Sequence, residues 1–193
     1  MSTKLKFGLL LPHFGAESSF ESIIQGAQKA ESYGFDSVWV RDHLIFEPHG
    51  MEGQDNTHYD CFVTLAAVGA TTKLTLGTGT IIPHRHPVYA AQLFASLNEL
   101  SGGGVIAGIG QGTFRHEFDV VGYPSTNEDR FGLIKETATV MQRLWNEGTI
   151  EHHGQFFQFD NVEIRPKPAS SIPIWYGGSS PASCRRAADY CDG

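Results

Sequence analysis

Short apolar runs and segments of helical period alternate along this chain. Leu5 to Leu11, Asp36 to Val40, Leu74 to Ile82, Val105 to Ile109 and Ile172 to Tyr176 are too short for helices and rich in β-formers, so they read as buried parallel strands. After the first run, Phe20, Ile23, Ile24, Ala27 and Ala30 mark one helical face, with Ser18 and Glu21 as a capping box and Gly34 as terminator. A second helix is expected from Tyr59 to Thr71 behind Thr57. A third carries Pro87 in its first turn, buries Ala90, Ala91, Leu93, Phe94 and Leu97, and stops at Gly102.

Beyond Ile109 a short helix around His116 to Val121 ends at Gly122. A longer one runs from about Asn127 to Glu147 behind Thr126, facing inward through Phe131, Ile134, Ala138, Met141, Leu144 and Trp145. Residues Thr149 to Phe159 then alternate about Gly154, which suggests a β-hairpin insertion and a candidate lid over the strand ends. Pro166, Pro168 and Pro173 stiffen the entry to the last strand.

Repeated β/α units make an α/β fold, either a doubly wound sheet or a parallel (β/α) TIM-type barrel, and both place ligands at the carboxyl ends of the strands. A closed barrel of eight units takes about 250 residues. About five strands are written in this single domain of residues 1–193, so a barrel here is expected to be incomplete, a fragment or a curtailed form. An open sheet edge would invite dimerisation, making a homodimer one expected partner state.

Charge and composition narrow the function. The formal net charge is −7 with Lys and Arg scattered, which leaves no basic stripe for nucleic acid or an anionic membrane, so a small-molecule substrate is expected. The N-terminus, Met1-Ser-Thr-Lys-Leu-Lys, runs into a strand-like segment instead of a signal-peptide core, and cytoplasm is the simplest location. Cys61, Cys184 and Cys191 form an odd set without paired metal spacing and are expected to be reduced, mostly buried thiols.

The candidate chemistry lies just past the strands: Pro12-His13, Asp42-His43, Pro83-His84-Arg85-His86, Gln111-Gly112-Thr113 and Gly177-Gly178-Ser179-Ser180. His43 with Asp42 is the sharpest pair, because a histidine can exchange protons with a substrate while a neighbouring carboxylate orients it; a capped loop is the plainer alternative. Gly177, Gly178, Ser179 and Ser180 lie between a strand and a helix begun by Pro181, where backbone N–H groups and the helix dipole attract phosphate, although the same residues also serve as ordinary capping. His84-Arg85-His86 lacks a nearby carboxylate in sequence and reads as a cationic wall, not a metal pair. His152 and His153 read as exposed hairpin residues. Gly102-Gly103-Gly104 and Gly108-Ile-Gly-Gln-Gly are separated by a strand, which disfavours a nicotinamide-binding Rossmann site.

These residues together resemble the luciferase-like monooxygenase family, especially its coenzyme F420-dependent branch. The matching segments are Gly34-Phe-Asp-Ser-Val-Trp-Val-Arg-Asp-His43, Leu76-Gly-Thr-Gly-Thr80, His86-Pro-Val, Leu100-Ser-Gly-Gly, Gly108-Ile-Gly-Gln-Gly112, Glu117-Phe and Pro173-Ile-Trp-Tyr-Gly-Gly178. The resemblance implies a barrel and a redox cofactor, FMN or coenzyme F420, lying across the strand ends. It places His43 at the catalytic position beside Asp42, with Thr80, Ile81, Gln111, Gly112, Gly177, Gly178, Ser179 and Ser180 against the cofactor. It also implies a non-proline cis peptide between Thr80 and Ile81, and admits a separate reductase as the supplier of reduced cofactor. The chain departs from the family pattern at Gly104, usually arginine, at Thr113, acidic in some F420 enzymes, and in lacking the last three strands.

Three functions follow as expectations. The first is an oxidoreductase or monooxygenase in which the cofactor carries hydride or activates O2 while His43 moves a proton. The second is a flavin-binding truncated barrel without turnover. The third, resting only on nine histidines and the His84 and His86 pair, is a metal-dependent hydrolase.

Overall fold

The computed structural model describes residues 5–48, 53–102 and 104–193, so Met1 to Lys4 and Gly103 of the segments discussed above lie outside the described residues. Five parallel strands form the sheet: β1 (Gly8–Leu10), β2 (Ser37–Val40), β3 (Thr75–Thr78), β4 (Val105–Ile109) and, late in the chain, β7 (Ile174–Tyr176). Their order is β1-β2-β3-β4-β7, so each new strand joins the same growing edge. Helices α1 (Phe20–Ser32), α2 (Cys61–Gly69) and α3 (Pro87–Leu100) make the crossovers, followed by α4 (Arg115–Val121) and α5 (Asn127–Asn146). The antiparallel hairpin of β5 (Ile150–His153) and β6 (Gln158–Val162) precedes β7, and α6 (Pro181–Tyr190) follows it. No described helix is long and apolar enough to cross a membrane.

Alternation along the strands divides the sheet into two faces. Val38, Val40, Leu76, Val105, Ala107, Ile109 and Ile174 point to the helices and are buried in one core with Ile23, Leu65, Phe94, Met141 and Leu144. The helical layer is tied by Trp145 of α5, whose Nε1–H donates to the Ala91 carbonyl of α3 at 3.0 Å. The other face is concave and carries Trp39 across Gly8 and Gly77, where a Cβ at either glycine would run into the indole. Trp39 stacks on Trp175 of β7 with ring centroids 5.5 Å apart.

Several boundaries shift for local reasons. Ser19, not Ser18, caps α1, because Ser22 stands three residues on and returns the bond, while Ser18 Oγ–H donates to Gly15 in the preceding turn. Helix α2 begins at Cys61 because Asp60 accepts from the Phe62 and Val63 N–H groups; Thr57 belongs to an earlier turn closed on Asp55. On α3, Leu93 is only half-buried. Helix α5 buries more than the expected stripe, adding Leu133, Thr137 and Val140, whereas Phe131 is half-buried under the Arg186 guanidinium.

The non-proline cis peptide falls at Gly79–Thr80, one residue earlier than expected, because Ile81 already pairs in parallel with Ile109 and its N–H donates to Gly108. Cys61 is buried, but Cys184 is exposed on α6 and Cys191 half-buried, so the thiols are not mostly buried. The hairpin is present. Its turn is held to α5 by Glu136, which accepts from the Phe156 and Phe157 N–H groups, and Phe157 packs with Phe118 and Leu133.

Candidate active site

A cleft of about 440 Å³ opens at the carboxyl ends of the strands, within the size range of small-molecule sites. Its border comes from the end of β2 (Arg41, Asp42, His43), the β3 end (Gly79, Thr80, Ile82), the β4 end (Gly110, Gln111, Gly112, Thr113), and the segment after β7 from Tyr176 to Ser180. The cleft thus gathers His43, Asp42, Thr80, Gln111, Gly112, Gly177, Gly178, Ser179 and Ser180. Ile81 is not part of it: the side chain is 1% exposed and lies in the core, on the far side from Thr80. The hairpin contributes none of the bordering residues, so it is not a lid over this cleft.

Asp42 and His43 are neighbours in sequence but not partners. The alternation of β2 continues past Val40, so Asp42 follows Val38 and Val40 into the helical side while His43 follows Trp39 and Arg41 to the concave side. The Asp42 carboxylate, 1% exposed, accepts from Arg85 Nε at 2.9 Å and Nη2 at 2.7 Å, and from the Cys61 thiol at 3.4 Å. Burial alone would raise its carboxyl, but the hydrogen bonds and charge of Arg85 outweigh it and hold the group below the usual aspartate range.

Arg85 also reaches Asp60, and His86 caps α3 through Nδ1, which accepts from the Val88 N–H. His84 is buried 3.9 Å from Asp42. The His84-Arg85-His86 run therefore ties α2, α3 and the β2 end together behind the cleft and is not a cationic wall, because its charge is consumed by Asp42 and Asp60.

The carboxylate that serves His43 is Glu117 of α4, to which sequence reading assigned no role. His43 Nδ1 lies 3.3 Å from Glu117 Oε2, and Glu117 Oε1 accepts from the Leu44 and Ile45 N–H groups at 2.7 and 3.2 Å. Glu117 is fully buried. Burial pushes its carboxyl up, and the His43 bond and charge with the two N–H donors more than reverse this, leaving it below the usual glutamate range. A Nδ1–H donated to this carboxylate leaves Nε2 of His43 as the proton acceptor. Phe46 and Phe114 pack on the imidazole at 5.5 and 5.6 Å.

The opposite wall suits an anion. Ser180 caps α6, accepting from the Ser183 N–H at 3.1 Å, so the positive end of a 10-residue helix faces the cleft beside Gly177 and Gly178. A Cβ at Gly177 or Gly110 would collide with Thr80, and one at Gly178 with Ser183, so backbone itself lines this wall. Gly112, at φ +76°, turns the β4–α4 loop against the Phe118 ring. Arg130, a further residue to which no role was assigned, reaches back from α5 to the Gly112 carbonyl at 3.0 Å and fixes that turn. Among the described residues one metal-like grouping occurs, Glu151, His153 and Asp160, exposed on the hairpin and remote from the cleft border.

Residues 5–193 match the family described as luciferase-like monooxygenase. The chain is 34% identical over 172 residues to an F420-dependent glucose-6-phosphate dehydrogenase of Nakamurella multipartita, covering 86% of this chain and 49% of that protein. It is 32% identical over 191 residues to an F420-dependent hydroxymycolic acid dehydrogenase of Mycobacterium tuberculosis, covering 96% and 51%. Among solved structures, an F420-dependent secondary alcohol dehydrogenase in complex with an F420-acetone adduct superposes with a TM-score of 0.86 at 27% identity, covering 98% of this chain and 57% of that one. The chain spans about half the length of the curated relatives it matches. The match over residues 5–193, from the first strand of the sheet to the last helix, makes this chain a member of the luciferase-like monooxygenase family.

Proposed function

We propose that the protein is a flavin-type oxidoreductase acting on a small organic substrate, with FMN or coenzyme F420 in the cleft and His43 as the residue that moves the proton. The observation that carries this reading is the His43–Glu117 pair at the border of a glycine-lined cleft. The residues present fit such a cofactor: a phosphate has the Ser179 and Ser180 hydroxyls and the α6 N-terminus, and a ring has the backbone of Gly79 and Gly110 beside Thr80 to lie against. The cofactor when bound supplies hydride transfer or oxygen activation; the chain supplies orientation and proton handling.

In that division Glu117 fixes the tautomer and rotation of His43 and stabilises its charged form, Phe46 and Phe114 keep bulk water from the ring, and Asp42 with Arg85 holds the backbone from which His43 projects. The activities of the relatives, dehydrogenases acting on a sugar phosphate, a hydroxylated lipid acid and a secondary alcohol, support a substrate bearing an oxidisable hydroxyl or a reducible carbonyl. Were FMN-dependent oxygen chemistry the outcome, a separate reductase would be required.

The test is titration of the chain with FMN and with F420, followed by ring fluorescence and thermal stability. Saturable binding of one names the cofactor. His43→Ala is expected to keep that binding and lose turnover, and Glu117→Gln to lower turnover about 100-fold, at the lower end of general acid–base contributions. Binding of neither cofactor by a folded chain would overturn the reading.

A further inference from the structure

We propose that His58 is a positioning residue for the proton held at His43: with His13 the two rings form a close-packed, largely buried array that accepts one proton and confines it to the ring bordering the cleft. This rests on the reading of His43 as the proton carrier. The rings come from three separate segments. His13 follows β1, His43 follows β2 and His58 precedes α2, and backbone bonds from Tyr59 N–H to His13 and from Gly15 N–H to Thr57 set the first and third side by side. His58 meets His13 edge to face at 4.9 Å between centroids and His43 at 5.4 Å.

Charges this close oppose each other. At an effective dielectric of about 20, a proton on one ring disfavours a proton on its neighbour on the order of a hundredfold. The array therefore carries one proton, and the hydrogen-bond partners decide where it resides.

His13 Nδ1 lies 2.9 Å from the Leu11 carbonyl, and Nε2 lies 3.0 Å from the Arg41 N–H and 3.1 Å from the Arg41 carbonyl, so this ring has backbone partners only, no carboxylate, and its full burial is what disfavours a second proton. Both ring nitrogens of His58 are buried without a partner among the described residues, whereas an imidazolium needs two acceptors. His43 alone of the three has a carboxylate, Glu117, to receive its second N–H.

Burial, followed by the facing His13 and His43, lowers His58 to about 4, and burial lowers His13 as well. The other charged or titratable groups facing the array are Arg41, Asp42 with its partner Arg85, Glu117, and the buried His84; His116 with Glu47 stands on the rim beyond Phe114. His58 thus gives His43 a close-packed neighbour that does not compete for its proton.

Histidine ring resonances followed by NMR against pH, in the chain without cofactor, test this directly. His58 is expected to stay neutral until the pH approaches about 4. In His43→Gln the His58 midpoint is expected to rise by roughly 1 to 2 pH units, since the neighbouring charge is gone. A His58 midpoint that is the same with and without His43 would mean that the two rings do not share a proton, and that outcome overturns the proposal. Two rings of the array titrating together in the unsubstituted chain would also overturn it, and needs no variant to fold. These measurements require no cofactor, so failure of the oxidoreductase reading, seen as absence of binding, is distinguishable from failure of the array.

Discussion

Replacing Asp42 by Asn separates a structural carboxylate from a catalytic one. The substitution keeps the size of the side chain but removes the charge that binds Arg85 through two hydrogen bonds of 2.9 and 2.7 Å. Hydrogen bonds to charged groups contribute about 1.5–3 kcal/mol each, and breaking a buried pair costs about 3–5 kcal/mol. Arg85 keeps Asp60, whose side chain is 41% exposed, so part of the interaction survives. The expected loss is therefore about 2–4 kcal/mol, a large share of the roughly 5–15 kcal/mol that holds a typical domain.

For a chain of this size that corresponds to a fall in Tm of about 5–15 °C. The pH dependence follows from the lowered Asp42 carboxyl: its contribution is complete above the ordinary aspartate value of 3.8 and is lost as pH falls through the lower folded value. Urea denaturation at pH 7 of the parent chain, Asp42→Asn, Arg85→Met and the double variant would measure the coupling, expected to be at least about 1.5 kcal/mol. Asp42→Asn within about 0.5 kcal/mol of the parent, with negligible coupling, would refute the assignment.

Gly108→Ala places a Cβ on the Thr78 carbonyl oxygen of the neighbouring strand, which cannot move without breaking β3–β4 pairing, so a loss of about 3 kcal/mol or more is expected in the same denaturation assay. Stability should also fall as pH drops from 6.5 toward about 4, because the unfolded chain then binds a proton that His58 in the folded chain does not, a contribution of up to about 3 kcal/mol. His58→Phe is expected to reduce that slope while retaining the ring packing; an unchanged pH profile would count against a neutral, half-buried His58.

The strands were legible because each is a short apolar run between helix-period segments, and β4 was located to the residue. The glycine-lined wall of the cleft was legible as well, since Gly177 to Pro181 is both a close approach and a capped helix start. The partner of His43 was not, because Glu117 is 74 residues away and only the packing of α4 against the β2 end brings it within reach. Adjacency favoured Asp42, although a period of two already separates the residues: Val38, Val40 and Asp42 share one face and Trp39, Arg41 and His43 the other. The pairing of Arg85 is hidden from the sequence for the same reason, since its two carboxylate partners lie 43 and 25 residues before it.

The stacked tryptophans on the concave face turn the fold into its own optical gauge. Strands β2 and β7 are three steps apart in the sheet, which at about 4.8 Å per step would separate their axes by roughly 14 Å if the sheet were flat. The indoles of Trp39 and Trp175 nevertheless meet at 5.5 Å and 29°, so the curl toward a cylinder is already present in five strands. Close, nearly parallel indoles couple their electronic transitions, and Trp145 lies on the opposite side of the sheet in the helical layer. The near-ultraviolet dichroism of the chain therefore reports sheet curvature, and would register any flattening before the helices came apart.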